Sequence, residues 1–430
     1  MTRKSPGTGF VRSFFLVMRV KSDCAGSAPV ESTRSRSLEV ILGLLPLVLG
    51  LELLTWIVYL PAALRGNADF RAYYSAGYLV LSGHADQLYD FESQRAIQNN
   101  LISPSTTLLP FIHPPYESLL FVPFALFRYR TAYWLFLGLN LLCILVCYQF
   151  LRGKLWRLHS MWRWLPLLLI VGFAPVVAAL MQGQDSLIFF LLLAAALANL
   201  ESGRDLMAGT LLGLALFRFQ IAVPIAVFFF IWKRWRFLGG FCISAFPALA
   251  LSGLVAGATG LRLYMSLLFD LSVRLTPAGQ AFYGVPVTRM PNLRGLLFST
   301  LHLHSSQTML ALTMILSFLV VILGGWAGRN APPVWQLAIA ISASVIVGYH
   351  VLTHDLSILL IPMAMLLDQR VGRGLWNIPI LWLSTPLCFF AYDYVVALPV
   401  LAMFLFLAWR FWRSSAEENT RGFERNFGVI

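Results

Sequence analysis

The feature that most constrains this chain is a series of apolar runs, separated by short basic bursts, from about residue 38 to residue 410. A run of about 17–25 apolar residues is long enough to cross a bilayer as a helix. A helix suits that environment because it satisfies its backbone N–H and C=O groups internally. Of the 430 residues, 58% are hydrophobic and 12% are charged, with a mean hydropathy of +0.74. The charged share is about half that of a soluble protein. These values exclude a soluble globular enzyme, a disordered chain and a disulfide-stapled secreted domain. The expected fold class is all-α, a polytopic transmembrane helical bundle.

Reading the runs in order gives spans at 38–60, 131–151, 164–181, 185–200, 206–217, 221–232, 237–257, 306–326, 332–353, 356–367, 375–391 and 395–410. That is about 12 crossings, or 13 if the short apolar piece 115–127 crosses instead of re-entering. With 12, the basic clusters around Arg152–Arg163, Lys233–Arg236, Arg329, Arg370–Arg373 and Arg410–Arg413 share one side with both termini. Lysine and arginine collect on the cytoplasmic side, so the net charge of +13 marks orientation in a cell membrane and not a nucleic-acid footprint. Residues 1–37 are expected to form a basic, disordered cytoplasmic tail, 38–411 the transmembrane domain, and 412–430 a solvated cytoplasmic tail. The first outer segment, 61–114, carries two amphipathic stretches, at 70–82 and 90–101, suited to helices lying at the membrane interface.

This threading gathers polar residues from distant parts of the chain on the outer face. They are Asp69, His113, Gln184-Asp185, Arg218-Gln220, the loop 258–305 with Tyr264, Tyr283, Arg289, Asn292 and Arg294, and His354-Asp355. Ionisable groups at membrane depth cost about 2.5–3.5 kcal/mol each, so they tend to be paired or functional. Asp69 reads either as a general base or as the N-cap of the next helix. Asp185 and Asp355 have the same capping alternative. Arg218 reads either as an interfacial snorkelling arginine or as a phosphate clamp with planar, bidentate donors. The basic residues of the long loop suit an anionic ligand or simple solvation. His113, in a rigid Pro114-Pro115 turn, is a hydrogen-bonding residue of undecided role. Cys143 and Cys147 share a helix face without further ligands and read as packing. No Walker loop, dinucleotide fingerprint, HExxH or CxxC is present.

The ordered set Asp69-Phe70 with Tyr73-Tyr74, Gly83, Leu88-Tyr89-Asp90, Pro114-Pro115, Gly183-Gln184, Arg218-Phe219-Gln220, Pro291-Asn292-Leu293-Arg294-Gly295 and His354-Asp355-Leu356 resembles glycosyltransferase family 87. That family is part of the GT-C superfamily of integral membrane enzymes. The resemblance runs from about residue 40 to 370. It implies inverting transfer of a sugar, often mannose, from a polyprenyl-phosphate donor to a glycan or glycolipid acceptor at the outer face. It implies a catalytic carboxylate in the first outer loop, which Asp69 matches. The candidate donor-binding residues are then Arg218, Gln220, Gln184, Arg294, His354, Asp355, His113 and Tyr73. Two departures stand out: Arg218 where lysine is common, and Asp185 where asparagine is common. No cofactor and no metal are expected, since carboxylates near Asp69 look few.

Two other readings fit the composition. A transporter or lipid flippase would also hold charges in a bundle, but it calls for inverted repeats and broken helices at the midplane. A non-catalytic envelope scaffold would tolerate Asp69→Asn.

Overall fold

The computed structural model describes residues 36–105, 108–273, 287–301, 306–368 and 377–426. The expectation for residues 1–37 falls almost wholly outside these, as does Tyr283. The described residues form helices and no strand. Six stretches are long and apolar enough to cross a membrane: Glu39–Leu64, Tyr129–Leu151, Asp205–Ile231, Trp235–Asp270, Gln307–Gly328 and Asp393–Arg413. Leu165–Val171 and Ala174–Gln182, bent by 59° at their junction, make a seventh if counted as one.

The expected dozen is not reached by length. Several runs form helices of only 10–17 residues: Ser186–Glu201, Pro333–Val347, Thr353–Leu367 and Asn377–Phe390. At 1.5 Å per residue such helices are at most about 25 Å long, short of a hydrocarbon core of about 30 Å. Polar breaks cut them, such as Gln184-Asp185 before the first and Gly348-Tyr349-His350 after the second.

Asp205–Ile231 is not one straight rod. Gly209 and Gly213 lie so close to the following helix that a Cβ on either would collide with the carbonyl oxygens of Phe237 and Phe241. In a straight helix residues 209 and 231 would be roughly 33 Å apart, too far for that contact. The chain therefore folds back at the 3-10 turn Ala215–Arg218, and Arg218 sits at the bend.

The stretch 115–127 makes a single 3-10 turn and the eight-residue helix Ser118–Ala125, too short to cross. The loop expected from 258 is helical instead. Trp235–Val273 continues past a break at Gly257, whose φ of 63° suits glycine, and a separate helix spans Leu293–Leu301. The last helix runs from Asp393 to Asn426 without stopping near residue 412.

The amphipathic stretches of the first loop form helices Phe70–Leu81 and Phe91–Leu101. Phe70–Leu81 buries nine of its twelve residues, so it is packed into the protein and does not rest on a surface. Phe70 stacks on Phe136 at 5.2 Å, and Tyr73 on Phe121 at 4.5 Å. Arg71, 2% exposed, ties the two helices together through Gln98 at 3.0 Å and the Ser103 carbonyl at 2.8 Å.

Helix direction separates two polar layers. Ser186–Glu201 starts beside Asp185 and ends where Glu201 pairs with Lys154. Phe219–Ile231 starts at Arg218 and leads to Arg234, which donates to Gln336 at 2.8 Å. Pro333–Val347 returns from that end to Gly348, packed against the Gln220 carbonyl. Asp185, Arg218 and Gln220 thus lie at one end and Lys154, Glu201 and Arg234 at the other, while the cluster Arg370–Arg373 falls outside the described residues.

Candidate active site

Asp69 ends a tight turn after the first helix and precedes Phe70–Leu81. It holds the N-cap position, but its side chain makes no capping hydrogen bond. The Oδ2 atom accepts from Gln184 Nε2 at 2.6 Å instead. Gly183 makes this possible: its φ of +61° turns the chain out of Ala174–Gln182, and the space where its Cβ would stand belongs to Phe70. The same turn brings Gln182 Oε1 to the Asp69 backbone N–H at 3.2 Å and to the Tyr59 hydroxyl at 2.8 Å.

Behind Gln184 lies a buried network. Its Oε1 accepts from Tyr73 at 2.6 Å and from Arg218 Nη2 at 2.7 Å. Arg218 Nη2 also pairs with Asp185 Oδ1, and Nη1 stands 3.3 Å from Asp355 Oδ1. Ser186 donates to Asp355 at 3.2 Å, and Asp355 Oδ2 accepts from the Leu352 N–H at 2.9 Å. His113 Nε2 is 3.1 Å from the Tyr73 hydroxyl, and Nδ1 is 3.0 Å from Glu117. Among the described residues, Asp69, Glu117, Asp185 and Asp355 thus share one network with a single guanidinium in contact, Arg218. Carboxylates near Asp69 are not few: the fold collects them from positions far apart in sequence.

The charges are set by burial. Burial raises the Asp69 carboxyl above its usual 3.8, while His354, the Gln184 hydrogen bond and Arg218 pull the other way. Burial and the neighbouring Asp185 charge drive Glu117 well above the usual carboxylate range. Asp185 goes down: burial would raise it, but the Arg218 charge beside it outweighs that cost. Burial, then Arg218, lowers His113 to about 3 and leaves the ring neutral.

A cavity of about 700 Å³ opens beside Asp69. Its polar wall carries Asp69, Gln182, Thr353, His354, Arg289 and Asp393, and its apolar wall carries Leu51, Leu54, Val58, Met181, Phe389 and Phe390. Leu54 and Val58 are 58% and 71% exposed on the first helix. Arg289 Nε pairs with Asp393 at 2.7 Å, and its Nη2 donates to the Cys388 carbonyl at 3.0 Å.

The expected residues sort into groups. Asp69 and His354 line the cavity. Tyr73, His113, Gln184, Asp185, Arg218 and Asp355 form the network behind it. Arg218, 3% exposed, is neither snorkelling nor among the cavity residues. Arg294 donates to the Tyr349 carbonyl at 3.4 Å and lies 3.9 Å over the Tyr349 ring, apart from the cavity. Gln220 is half-buried beside Gly348 and enters none of the network's hydrogen bonds among the described residues. Sequence reading missed Tyr59, Thr353 and Asp393. An acid opening the last apolar helix was the available signal for Asp393.

A model of glycosyltransferase family 87 matches residues 111–362, well over half of the chain. The chain belongs to glycosyltransferase family 87. It is therefore a membrane glycosyltransferase that takes a sugar donor and an acceptor. The match includes His113, Gln184, Arg218, Arg289 and His354, and it begins after Asp69 and Tyr73. No curated protein and no solved structure matches the chain significantly.

Proposed function

We propose that this glycosyltransferase moves a sugar, mannose by family resemblance, from a polyprenyl-phosphate donor to a glycan or glycolipid hydroxyl by inverting displacement. The observation that carries this reading is the two-sided cavity. Asp69, the His354 imidazole and the Arg289–Asp393 ion pair face an apolar wall that continues onto the exposed Leu54 and Val58. An amphiphilic donor needs that pairing: a guanidinium and hydrogen-bond donors for the phosphate and apolar surface for the tail. The volume falls within the range of about 300–1,000 Å³ common for ligand sites.

In this mechanism Asp69 accepts the proton of the acceptor hydroxyl. That oxygen bonds to the anomeric carbon as the carbon–phosphate oxygen bond breaks, and polyprenyl phosphate leaves with the electron pair. A raised carboxyl makes a better base than an ordinary one. The Gln184 bond to Oδ2 orients the group, while Oδ1 accepts no hydrogen bond among the described residues. Arg218 reads as a phosphate clamp from its residue type alone. Its burial among Asp185, Asp355 and Gln184 suits positioning, and Arg289 with His354 takes the phosphate role.

The cavity lies at the end of the bundle opposite Lys154 and Arg234, and the positive-inside preference supports an outward-facing site in the cell membrane. A transfer assay in nanodiscs with a panel of polyprenyl-phosphate sugars tests the reading. Turnover with one donor, absent in Asp69→Asn, is the expected result. Donor binding without transfer by the wild type, with every acceptor tried, would count against it.

A further inference from the structure

The hydrogens around Tyr73 are fixed by elimination. Asp69 needs a donor and Arg218 needs an acceptor, so Gln184 presents Nε2 to the first and Oε1 to the second. Tyr73 has one hydroxyl hydrogen, and two pure acceptors compete for it: Gln184 Oε1 at 2.6 Å and Asp185 Oδ1 at 3.2 Å. His113 Nε2, 3.1 Å from the same oxygen, must therefore bring its own hydrogen. A singly protonated ring is then bare at Nδ1, and Nδ1 lies 3.0 Å from Glu117 Oε2. A lone pair faces a carboxylate oxygen inside the protein.

The neighbouring oxygens deepen the deficit. Glu117 and Asp185 have side chains 1% and 0% exposed. Glu117 Oε1 and Asp185 Oδ2 meet no N–H or O–H donor among the described residues, and the two carboxyl groups lie close enough to share one proton. One ligand atom from each of His113, Glu117 and Asp185 lies within 4.8 Å of the others. A single shared proton can answer one of these contacts, and a doubly protonated ring answers only Glu117. A multiply charged cation answers all three.

We propose that His113 Nδ1, the Glu117 carboxylate and Asp185 Oδ2 bind one divalent transition-metal ion of the Mn²⁺ or Zn²⁺ class. The 3.0 Å between His113 and Glu117 is the spacing two ligands take at right angles about a metal bonded at about 2.0–2.2 Å. One imidazole with two carboxylates favours these ions over the all-oxygen preference of Ca²⁺ and Mg²⁺. The partners around the ligands have the arrangement of an outer shell: Tyr73 holds Nε2–H of the imidazole, and Arg218 holds the second oxygen of Asp185. The ion is a positioning element. It sets Asp185, through it Arg218 and Gln184, and so the orientation of Asp69.

The test is metal binding, independent of any sugar donor. The full chain in nanodiscs is stripped with chelator and titrated with Mn²⁺ by electron paramagnetic resonance, and with Zn²⁺ by elemental analysis. One equivalent is expected in the wild type. Glu117→Gln and His113→Gln should each weaken binding more than about 100-fold, beyond the 10–100-fold cost of losing an outer-shell partner. Glu201→Gln, which pairs with Lys154 at the other end of helix Ser186–Glu201, should bind like the wild type. A stripped wild type that takes up neither ion overturns the proposal, as does a Glu117→Gln variant that binds unchanged. Should both variants unfold, the wild type decides alone: its unfolding temperature must rise with added Mn²⁺, and a flat response rejects the site.

Discussion

Gln184 donates to Asp69 across 2.6 Å, joining two residues 115 positions apart and linking a cavity carboxylate to the buried pair Arg218–Asp185. The bond lowers the Asp69 pKa against the larger effect of burial. Asp69 is thereby fixed in direction, and its rise is moderated.

Asp69→Asn is expected to reduce turnover at least ~100-fold, within the range for loss of a general base. Donor affinity and unfolding temperature should stay near wild type, since the amide keeps the size of the side chain and the position makes no helix cap. Comparing kcat and donor Kd for the two proteins checks this.

The pH profile carries a sign. A base acts when deprotonated, so kcat/KM should rise with pH through the raised Asp69 pKa, and the acidic limb should lie above the ordinary 3.8. Gln184→Leu removes a bond that lowers this pKa, so its limb should move to higher pH as kcat falls. A limb that stays in place in the variant would detach Gln184 from the base.

Arg218→Ala should destabilise the protein by ~3–5 kcal/mol, because Asp185 and Asp355 would remain buried with their guanidinium gone. Arg218→Lys keeps the charge without the planar fork and should fall between. Thermal unfolding in detergent ranks the three proteins.

Arg289→Ala should raise the donor KM and also lower the unfolding temperature, because the 40% exposed guanidinium at the cavity is the ion-pair partner of the buried Asp393. The loss should be larger for lipid-phosphate donors than for acceptor binding. Equal KM values in variant and wild type would return the phosphate role to another cation.

Much of this protein was legible in its sequence. Hydropathy alone demanded a helical membrane protein, and basic bursts marked one end of the bundle. The two amphipathic stretches before residue 102 folded as helices. Asp69, His113, Gln184, Arg218 and His354 could be named because polar residues between apolar runs are costly and therefore few. Their roles could not be read from the chain. Arg218 resembled a phosphate clamp from its residue type, and only the fold shows it enclosed by Asp185 and Asp355. Glu117 lies in a plain Pro-Pro turn and acquires meaning when Asp185 arrives beside it.

Apolar periodicity and charge placement act locally, so the sequence by itself determined the solvent, the helical class and the end of the bundle where ionisable residues collect. The partners of those residues depend on how helices far apart in the chain pack, through Gly183 against Phe70 and Gly209 against Phe237. Tertiary structure alone decided which carboxyls face the cavity and which are sealed behind it. The physical reason is that burial and charge pairing, which set what each group can do, are properties of the packed neighbourhood and not of the residue.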